Sequence, residues 1–363
     1  MTDVGSRLFL SCDLVGSTRH KQSAGDTRVW IPDFLRFYYD FPARVREALD
    51  DSDLASRLKF WKAVGDELLF TIDIKRESDV YRTVNAWVKA MAQYEAELGA
   101  KNREGNSSPN KMKTKGGAFI ATFPDPDYVV AVPTAPVEPD SERDVVVRNE
   151  AMKKEANGGN GHLLIDYLGP SIDTGFRVIS ACNQRYFTLS LEVAWAMTYH
   201  RRNNENKSSL PGLLLLEERQ MKGVWDEREY PVFAIDRHRE SAIVKKINRV
   251  QGRKKIGLLD VDGLAAACLD DEKWPSRVHF RESAYDAFTR LKDTLTARQE
   301  HLDGLVDSSG ESIDEFRTDG GDVESGTEDS AGAINMPPPR PVDGKTIIPK
   351  DGSAGGAVNP SVS

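Results

Sequence analysis

The most constraining feature of the sequence is a pair of β-type runs around a tight turn. Residues 57–64 (RLKFWKAV) and 67–74 (ELLFTIDI) flank the dipeptide Gly65-Asp66. The second run alternates between an apolar face and a mixed face, and its apolar face consists of Leu68, Phe70, Ile72 and Ile74. Alternation of this kind is typical of a half-buried strand, and the intervening dipeptide favours a tight turn. The sequence therefore predicts a β-hairpin that belongs to a larger sheet.

Helical and strand-like segments alternate along the rest of the chain. Residues 6–15 (SRLFLSCDLV) predict a first strand, and residues 78–98 carry apolar residues at spacings of three and four, which indicates an amphipathic helix on a sheet. Further strands are predicted in GGAFIATF, HLLIDYL, YFTLS, GLLLLEE and EYPVFAID. We also predict a helical region over 30–49 that is interrupted by its two prolines, and a mostly irregular stretch over 124–161. The pattern indicates an α+β fold with helices on a sheet.

The C-terminal part differs in composition from what precedes it. Residues 241–302 are predicted to be mainly helical, whereas residues 303–363 are acidic and rich in Pro, Gly and Ser, and we expect them to be disordered. The formal net charge is −8, and residues 301–363 carry all of it, with twelve acidic and four basic residues. The first 300 residues are neutral, which argues against a nucleic-acid-binding protein.

The sequence also indicates the cellular compartment. No run approaches the 18 or so consecutive apolar residues of a membrane-spanning helix, and we find no signal peptide. The three cysteines, Cys12, Cys182 and Cys268, are too few and too scattered for a disulfide framework or a structural zinc site. We therefore expect a cytoplasmic protein without a membrane partner.

Two aspartates occupy notable positions. Asp13 lies late in the first predicted strand, and Asp66 lies at the tip of a hairpin that should pair with that strand. Either residue alone is most simply an ordinary turn or strand-end residue. Together on adjacent strands, the two carboxylates could instead hold Mg²⁺ or Mn²⁺, which prefer oxygen ligands and substrate phosphates.

A further set of acidic and basic residues lies in the segment IDYLGPSIDTGFRV. Asp173 and Arg177 are four residues apart and can share one face of a helix that begins after Gly169, while Asp166 precedes them. An ion pair within the helix would explain this spacing. An arginine directed at a reacting phosphoryl group would explain it as well, because its guanidinium neutralises developing charge.

Four segments together resemble a known enzyme family. LFLSCDLVGST, KFWKAVGDELLF, IDYLGPSIDTGFR and ERQMKGVWDEREYPVF are similar to the four ordered motifs of the class III nucleotidyl cyclases, over about residues 8–236. The resemblance implies a ferredoxin-like α+β catalytic core with an antiparallel-rich sheet. It thus divides the chain into a catalytic domain (1–240), a helical extension (241–302) and a tail (303–363).

The resemblance also implies roles for individual residues. Asp13 and Asp66 match the family's metal-binding aspartates, with the backbone carbonyl of Leu14 as a further ligand, for two divalent cations (Mn²⁺ or Mg²⁺) per site. Lys62 matches the lysine that recognises the base, and Asp166 matches its acidic partner. The implied enzyme is a homodimer with shared active sites.

Three further positions follow from the same comparison. Arg177 matches the arginine that stabilises the transition state, and Lys222 resembles the lysine that contacts phosphate. Asp173 departs from the family, which usually has asparagine there to orient the ribose. A carboxylate near a polyphosphate repels it unless it is paired, which puts the usual role in doubt.

The most detailed expectation concerns which nucleotide base the enzyme recognises. Lys62 with Asp166 resembles an adenine-recognising pair, but Phe60 lies two residues before Lys62, where a bulky ring on the same strand face could shorten the pocket. The whole chain resembles the pyrimidine cyclases of bacterial Pycsar anti-phage defence, which make cyclic UMP or cyclic CMP for a separate effector. We therefore expect a cyclase for UTP or CTP that releases pyrophosphate. The alternatives are an adenylate cyclase and a non-catalytic nucleotide-binding module.

Overall fold

The structure is a computed structural model that describes residues 4–23, 30–101, 112–136, 144–159, 161–205, 207, 209–250 and 256–309, and only the backbone of 99–101 and 307–309. The strands are β1 (Gly5–Val15), β2 (Leu58–Val64), β3 (Glu67–Asp73), β4 (Lys113–Lys115), β5 (Gly117–Phe123), β6 (Tyr128–Pro133), β7 (Leu163–Leu168), β8 (Tyr186–Leu189), β9 (Leu213–Gln220) and β10 (Glu229–Asp236). The α-helices are α1 (Ser17–Ser23), α2 (Ile31–Ala48), α3 (Ser52–Arg57), α4 (Glu77–Lys101), α5 (Val145–Asn157), α6 (Pro170–Ser180), α7 (Leu191–Glu205), α8 (Ala242–Val250), α9 (Leu258–Leu269), α10 (Asp286–Thr289) and α11 (Lys292–Ser309).

A mostly antiparallel sheet organises the molecule. Its strands lie in the order β2-β3-β1-β5-β8-β10-β9, with β4 paired to the end of β1, and β6 and β7 form a separate two-stranded sheet. The pairing of β5 with β8 is parallel, and the other pairings are antiparallel. The predicted hairpin is present as β2–β3, and β3 pairs with β1 so that Asp13 lies opposite Glu67. The predicted α+β class, with helices on an antiparallel-rich sheet, is confirmed.

The two faces of the sheet carry different cores. Alternate residues of β1 bury Leu8, Leu10 and Cys12 against the larger core, which includes α2, α4 and α7. The opposite face carries a smaller aromatic cluster in which Phe9 of β1 and Phe119 of β5 stack with their ring centroids 4.8 Å apart. This second cluster packs against α6 and the β6–β7 sheet.

Two sequence-based expectations about the backbone were wrong. The helical region near residue 40 is one continuous helix, α2. Pro32 lies in its first turn, where an amide hydrogen has no helical partner. Pro42 lies inside the helix, where the buried Phe41 and Val45 on either side of it hold the inner face against the core. The stretch over 124–161 contains β6 and α5 rather than mostly irregular chain. The side chain of Asn149 in α5 joins the two elements, since it accepts from Ala131 N (2.9 Å) and donates to Val129 O (3.1 Å).

Helices follow the last strand. α9 packs on α7, and Phe280 and Phe288 lie in the larger core, so residues 258–288 form part of the same packed unit as the sheet. α11 continues to Ser309, past the expected boundary at 302, and residues 310–363 of the expected disordered tail lie outside the described residues. Within the described ranges, no helix has the length and apolar character needed to cross a membrane.

Candidate active site

Asp13 and Asp66 form a pair of carboxyl groups at the edge where β1 ends. β1 supplies Asp13, and the turn between β2 and β3 supplies Asp66, whose carboxyl lies within hydrogen-bonding reach of that of Asp13. The pairing of β3 with β1 brings the two residues together, as the hairpin predicted. About a fifth of each side chain is exposed, 21% for Asp13 and 20% for Asp66.

The electrostatics of this pair are asymmetric. Burial and the nearby charge of Asp66 raise the pKa of Asp13, and the ammonium of Lys115 only partly opposes this. Burial also acts on Asp66, but hydrogen bonds from Ser17 and Asp13 and the charge of Lys21 lower its pKa overall. Two close carboxyl groups that resist joint ionisation are a place where added positive charge is stabilising.

Two lysines contact these carboxylates. Lys115 Nζ lies 2.9 Å from Asp13 Oδ2, and Lys21 Nζ lies 3.4 Å from Asp66 Oδ1. Neither lysine was identified from the sequence, because Lys115 reaches Asp13 only through the pairing of β4 with β1. Each of the two carboxylates therefore has an ammonium group of the same chain as its counter-ion.

The donor chemistry of the site fits a hard divalent cation. Carboxylate oxygens suit Mg²⁺ and Mn²⁺, which commonly bind one or two protein carboxylates and take their remaining ligands from water and substrate phosphates. The described residues contain no group of three or more His, Cys, Asp or Glu side chains able to hold a metal, so Asp13 and Asp66 would act with ligands from outside the protein side chains. Leu14, the expected backbone ligand, lies opposite Thr114 in the β1–β4 ladder.

Lys62 and Asp166 form a second charged pair, between β2 and β7. Lys62 Nζ lies 2.9 Å from Asp166 Oδ1 and 3.1 Å from Oδ2. The structure thus brings together two residues that are 104 positions apart in the chain. Both side chains are 37% exposed, so the pair is accessible to a ligand.

Phe60 does not lie on the same strand face as Lys62, contrary to the sequence-based expectation. The β2–β3 register shifts between these two residues, so that Phe60 pairs with Phe70 but Lys62 pairs with Leu69. The Phe60 ring packs edge-on against Phe70, which belongs to the larger core, at a centroid distance of 5.4 Å. The β-bulge, a local insertion of one residue, breaks the alternation on which the expectation depended.

The bulge places Trp61 beside the charged pair. Its indole Nε1 donates to Asp166 Oδ1 at 2.9 Å, and Lys62 Nζ lies 4.2 Å from the centroid of the Trp61 ring. Trp61 was not among the site residues predicted from the sequence, because a one-residue bulge leaves no periodic signal that would indicate it. A cavity of about 570 Å³ adjoins the pair between the β2–β3 hairpin and the β6–β7 sheet, and the aromatic residues Phe60, Trp61 and Tyr167 are among those that line it.

Asp173 and Arg177 lie on α6, which packs on β5. The Arg177 guanidinium donates to the backbone carbonyl of Asp173 at 2.7 Å rather than to its carboxylate. The buried carboxylate of Asp127 accepts from Ser171 N (2.9 Å) at the start of α6 and from Thr122 N (3.1 Å) at the end of β5. Burial raises the pKa of Asp127 to about 7. Asp127 thus fixes the helix that carries Arg177 to the sheet.

Lys222 lies in an exposed turn after β9. Among the hydrogen bonds and ion pairs of the described residues, none connects Asp13 or Asp66 to Arg177 or Lys222. None connects the Lys62–Asp166 pair to Arg177 or Lys222 either. Within one chain, the predicted site residues therefore form separate groups.

Comparison with known proteins gives fold-level similarities only. No family model and no curated protein sequence matches this chain. The adenylyl cyclase CyaB from P. aeruginosa is 9% identical, with 64% of this chain and 93% of that chain covered and a TM-score of 0.42.

Two guanylyl cyclases give similar values. The guanylyl cyclase Cya2 is 16% identical, with coverages of 64% of this chain and 93% of that chain and a TM-score of 0.38. The guanylate cyclase domain of RhGC from Catenaria anguillulae, in complex with GTP, is 10% identical, with coverages of 64% and 97% and a TM-score of 0.39. Identities and scores of this size assign neither a family nor an activity to this chain.

Proposed function

We propose that this protein is a metal-dependent nucleotide cyclase that converts a nucleoside triphosphate to the 3′,5′-cyclic nucleotide and pyrophosphate. The observation that carries the proposal is the pairing of the Asp13 and Asp66 carboxyl groups at the end of adjacent strands. These residues belong to the first two of the four ordered segments that resemble the class III cyclase motifs. In this proposal residues 1–240 are the catalytic domain.

The proposed chemistry assigns a role to each charged group. Asp13 and Asp66 would hold two divalent ions, which would supply charge neutralisation of the triphosphate and a lowered pKa of the ribose 3′ hydroxyl. The Arg177 guanidinium would contact the α-phosphoryl group and take up the charge that develops during in-line attack. Lys222 would contact the departing pyrophosphate. No covalent intermediate with the protein is required.

A homodimer with shared sites is part of the proposal. In one chain, Asp13 and Asp66 are separate from the group formed by Lys62 and Asp166. A two-fold dimer would let the carboxylates of one protomer act with the remaining site residues of its partner, giving two equivalent sites. The absence of any contact between these groups within one described chain supports this arrangement.

For the base, we propose UTP or CTP. The support is the resemblance of the whole chain to pyrimidine cyclases and not a shortened pocket, because the Phe60 ring packs against Phe70. ATP is the second candidate, and the direct contact of Lys62 with Asp166 favours it, because this pair resembles an adenine-recognising one. The wider role proposed is production of a cytoplasmic second messenger that activates a separate effector in anti-phage defence.

One experiment tests the enzymatic proposal. Purified protein is incubated separately with ATP, GTP, CTP and UTP in the presence of Mn²⁺ or Mg²⁺, and the products are identified by mass spectrometry. Cyclic UMP or cyclic CMP with pyrophosphate is the expected result. Cyclic AMP as the sole product would replace the pyrimidine assignment with the adenylate one. No cyclic product from any nucleotide would favour a non-catalytic binding module.

A further inference from the structure

The bulge in β2 makes Trp61 an extra residue in the hairpin. Phe60 lies opposite Phe70 and Lys62 lies opposite Leu69, so Trp61 has no counterpart on β3. Bulges of this kind redirect side chains and occur next to functional sites. Here the bulge brings Trp61 and Lys62 to the same side of the hairpin, where both contact Asp166.

The two oxygens of the Asp166 carboxylate are in different environments. Oδ1 accepts hydrogen bonds from Trp61 Nε1, Lys62 Nζ and the backbone N of Tyr167, each at 2.9 Å. Oδ2 accepts from Lys62 Nζ at 3.1 Å. A carboxylate has about four lone-pair positions, two on each oxygen. Protein donors fill those of Oδ1, whereas Oδ2 has one protein donor and can accept a further hydrogen bond from a ligand.

The Trp61 ring is held in place by other aromatic rings. Its centroid lies 5.1 Å from that of Phe9, 5.2 Å from that of Tyr167 and 5.8 Å from that of Phe176. Phe9 is fully buried in the sheet, so this support is rigid. The indole therefore presents its N–H in one position, and the attraction of the Lys62 ammonium to the ring restrains the second member of the pair.

We propose that Trp61 is a positioning residue for base selection. By donating to Asp166 Oδ1, it fixes the carboxylate so that a bound base meets one donor, the Lys62 ammonium, and one acceptor, Asp166 Oδ2. Recognition of a base depends on the relative position of such groups, because a donor or acceptor left unpaired in a closed site is costly. This inference rests on the proposed cyclase function and adds to it the residue that sets the orientation of the base-recognising pair.

The test is Trp61→Phe, which keeps an aromatic ring and removes the indole N–H. The matched control is Trp195→Phe, because Trp195 Nε1 donates to Asp262 Oδ1 at 2.7 Å in the α7–α9 interface and so loses the same kind of bond elsewhere. The values of kcat and KM are measured for all four nucleoside triphosphates in the wild type and both variants, together with melting temperatures. Trp61→Met, which also lacks a hydrogen-bond donor, replaces Trp61→Phe if the latter does not fold.

The expected result in Trp61→Phe is a fall of about 10-fold in kcat/KM for the preferred nucleotide. The ratio of kcat/KM for that nucleotide to kcat/KM for the next best one should also fall. Trp195→Phe should keep the wild-type ratio. Adding Trp61→Phe to an Asp166→Asn variant should change the ratio no further, because Trp61 acts through Asp166. An unchanged ratio in Trp61→Phe, or a full additional change in the Asp166→Asn background, would overturn the inference.

Failure of the proposed function gives a different result. If the wild type makes no cyclic nucleotide, the cyclase proposal fails, and the inference is decided by dissociation constants for the same four nucleotides from equilibrium dialysis. Selective binding that Trp61→Phe weakens and Trp195→Phe preserves would support the role of Trp61 in base selection. Equal binding by the wild type and Trp61→Phe would refute it.

Discussion

Gly175 on α6 provides a test of how closely the helix that carries Arg177 approaches the sheet. A Cβ atom at this position would lie 2.2 Å from Cγ of Phe119, and 2.3 and 2.5 Å from the two Cδ atoms of that ring. Ordinary contacts between carbon atoms are about 3.5–4.0 Å, so Gly175→Ala requires a displacement of about 1.3 Å or more. The ring cannot yield easily, because Phe119 is fully buried and stacked on Phe9. We therefore expect α6 itself to move away from β5.

The change in the free energy of unfolding expected for Gly175→Ala is the sum of two opposing effects. Overpacking a core by one methyl group costs about 1–3 kcal/mol, while replacing glycine by alanine within a helix gains up to about 1 kcal/mol. Gly263 in α9 is an exposed helical glycine whose added Cβ would have no atom within 4 Å, so Gly263→Ala should show the gain alone. The difference in the free energy of unfolding between the two variants isolates the cost of the clash, about 1–3 kcal/mol. Each kcal/mol lowers the melting temperature by about 2 °C.

The assay is thermal unfolding of the two variants and the wild type under identical conditions, followed by circular dichroism. We expect Gly175→Ala to melt below the wild type and Gly263→Ala to melt slightly above it. A displaced α6 also moves Arg177, and a shift of about 1 Å in a group that contacts a reacting centre can lower activity about 100-fold. Equal stabilisation of both variants would show that α6 does not pack against Phe119 as described.

Three further predictions concern the candidate site and its support. Asp13→Ala and Asp66→Ala should each lower cyclase turnover at least about 100-fold at a fixed Mn²⁺ concentration, because the ions would lose a carboxylate ligand, while the circular dichroism spectrum stays unchanged; wild-type turnover in either would place the ions elsewhere. A mixture of Asp66→Ala and Arg177→Ala chains should recover about a quarter of wild-type activity, because random exchange makes half of the dimers heterodimers with one intact site; an inactive mixture with demonstrated subunit exchange would exclude shared sites. Because the pKa of Asp127 is raised to about 7, above the ordinary value of an unfolded aspartate (about 3.9), its contribution to stability is complete below about pH 4 and is lost as the pH rises to about 7. The melting temperature of the wild type should therefore fall relative to that of Asp127→Asn between pH 5 and pH 8, and parallel pH profiles would contradict the raised pKa.

Several features of this protein follow from the sequence by itself. The alternation of Leu68, Phe70 and Ile72 predicts a strand with one buried face, and these residues are 0–5% exposed on the helical side of the sheet. The spacing of apolar residues over 78–98 predicts the helix observed at Glu77–Lys101. Both signals are periodic and local, since each element must bury one face whatever its neighbours are. The approach of Asp66 to Asp13 follows as well, because a tight hairpin brings its turn to the end of the strand with which it pairs.

Other features were decided by the tertiary structure alone. The bulge that leaves Phe60 opposite Phe70 is a shift of one residue, and it brings Trp61 to Asp166 on β7, which lies 105 positions further along the chain. The stretch over 124–161, which was expected to be mostly irregular, contains β6 and α5 because α5 packs on the β6–β7 sheet and Asn149 bonds to the backbone of β6. Composition describes the average tendency of a segment, whereas register and long-range pairing depend on which surface the segment meets. The sequence therefore determined the strands and helices with clear periodicity and the pairing of the two aspartates, and the three-dimensional packing determined which side chains surround the charged pair.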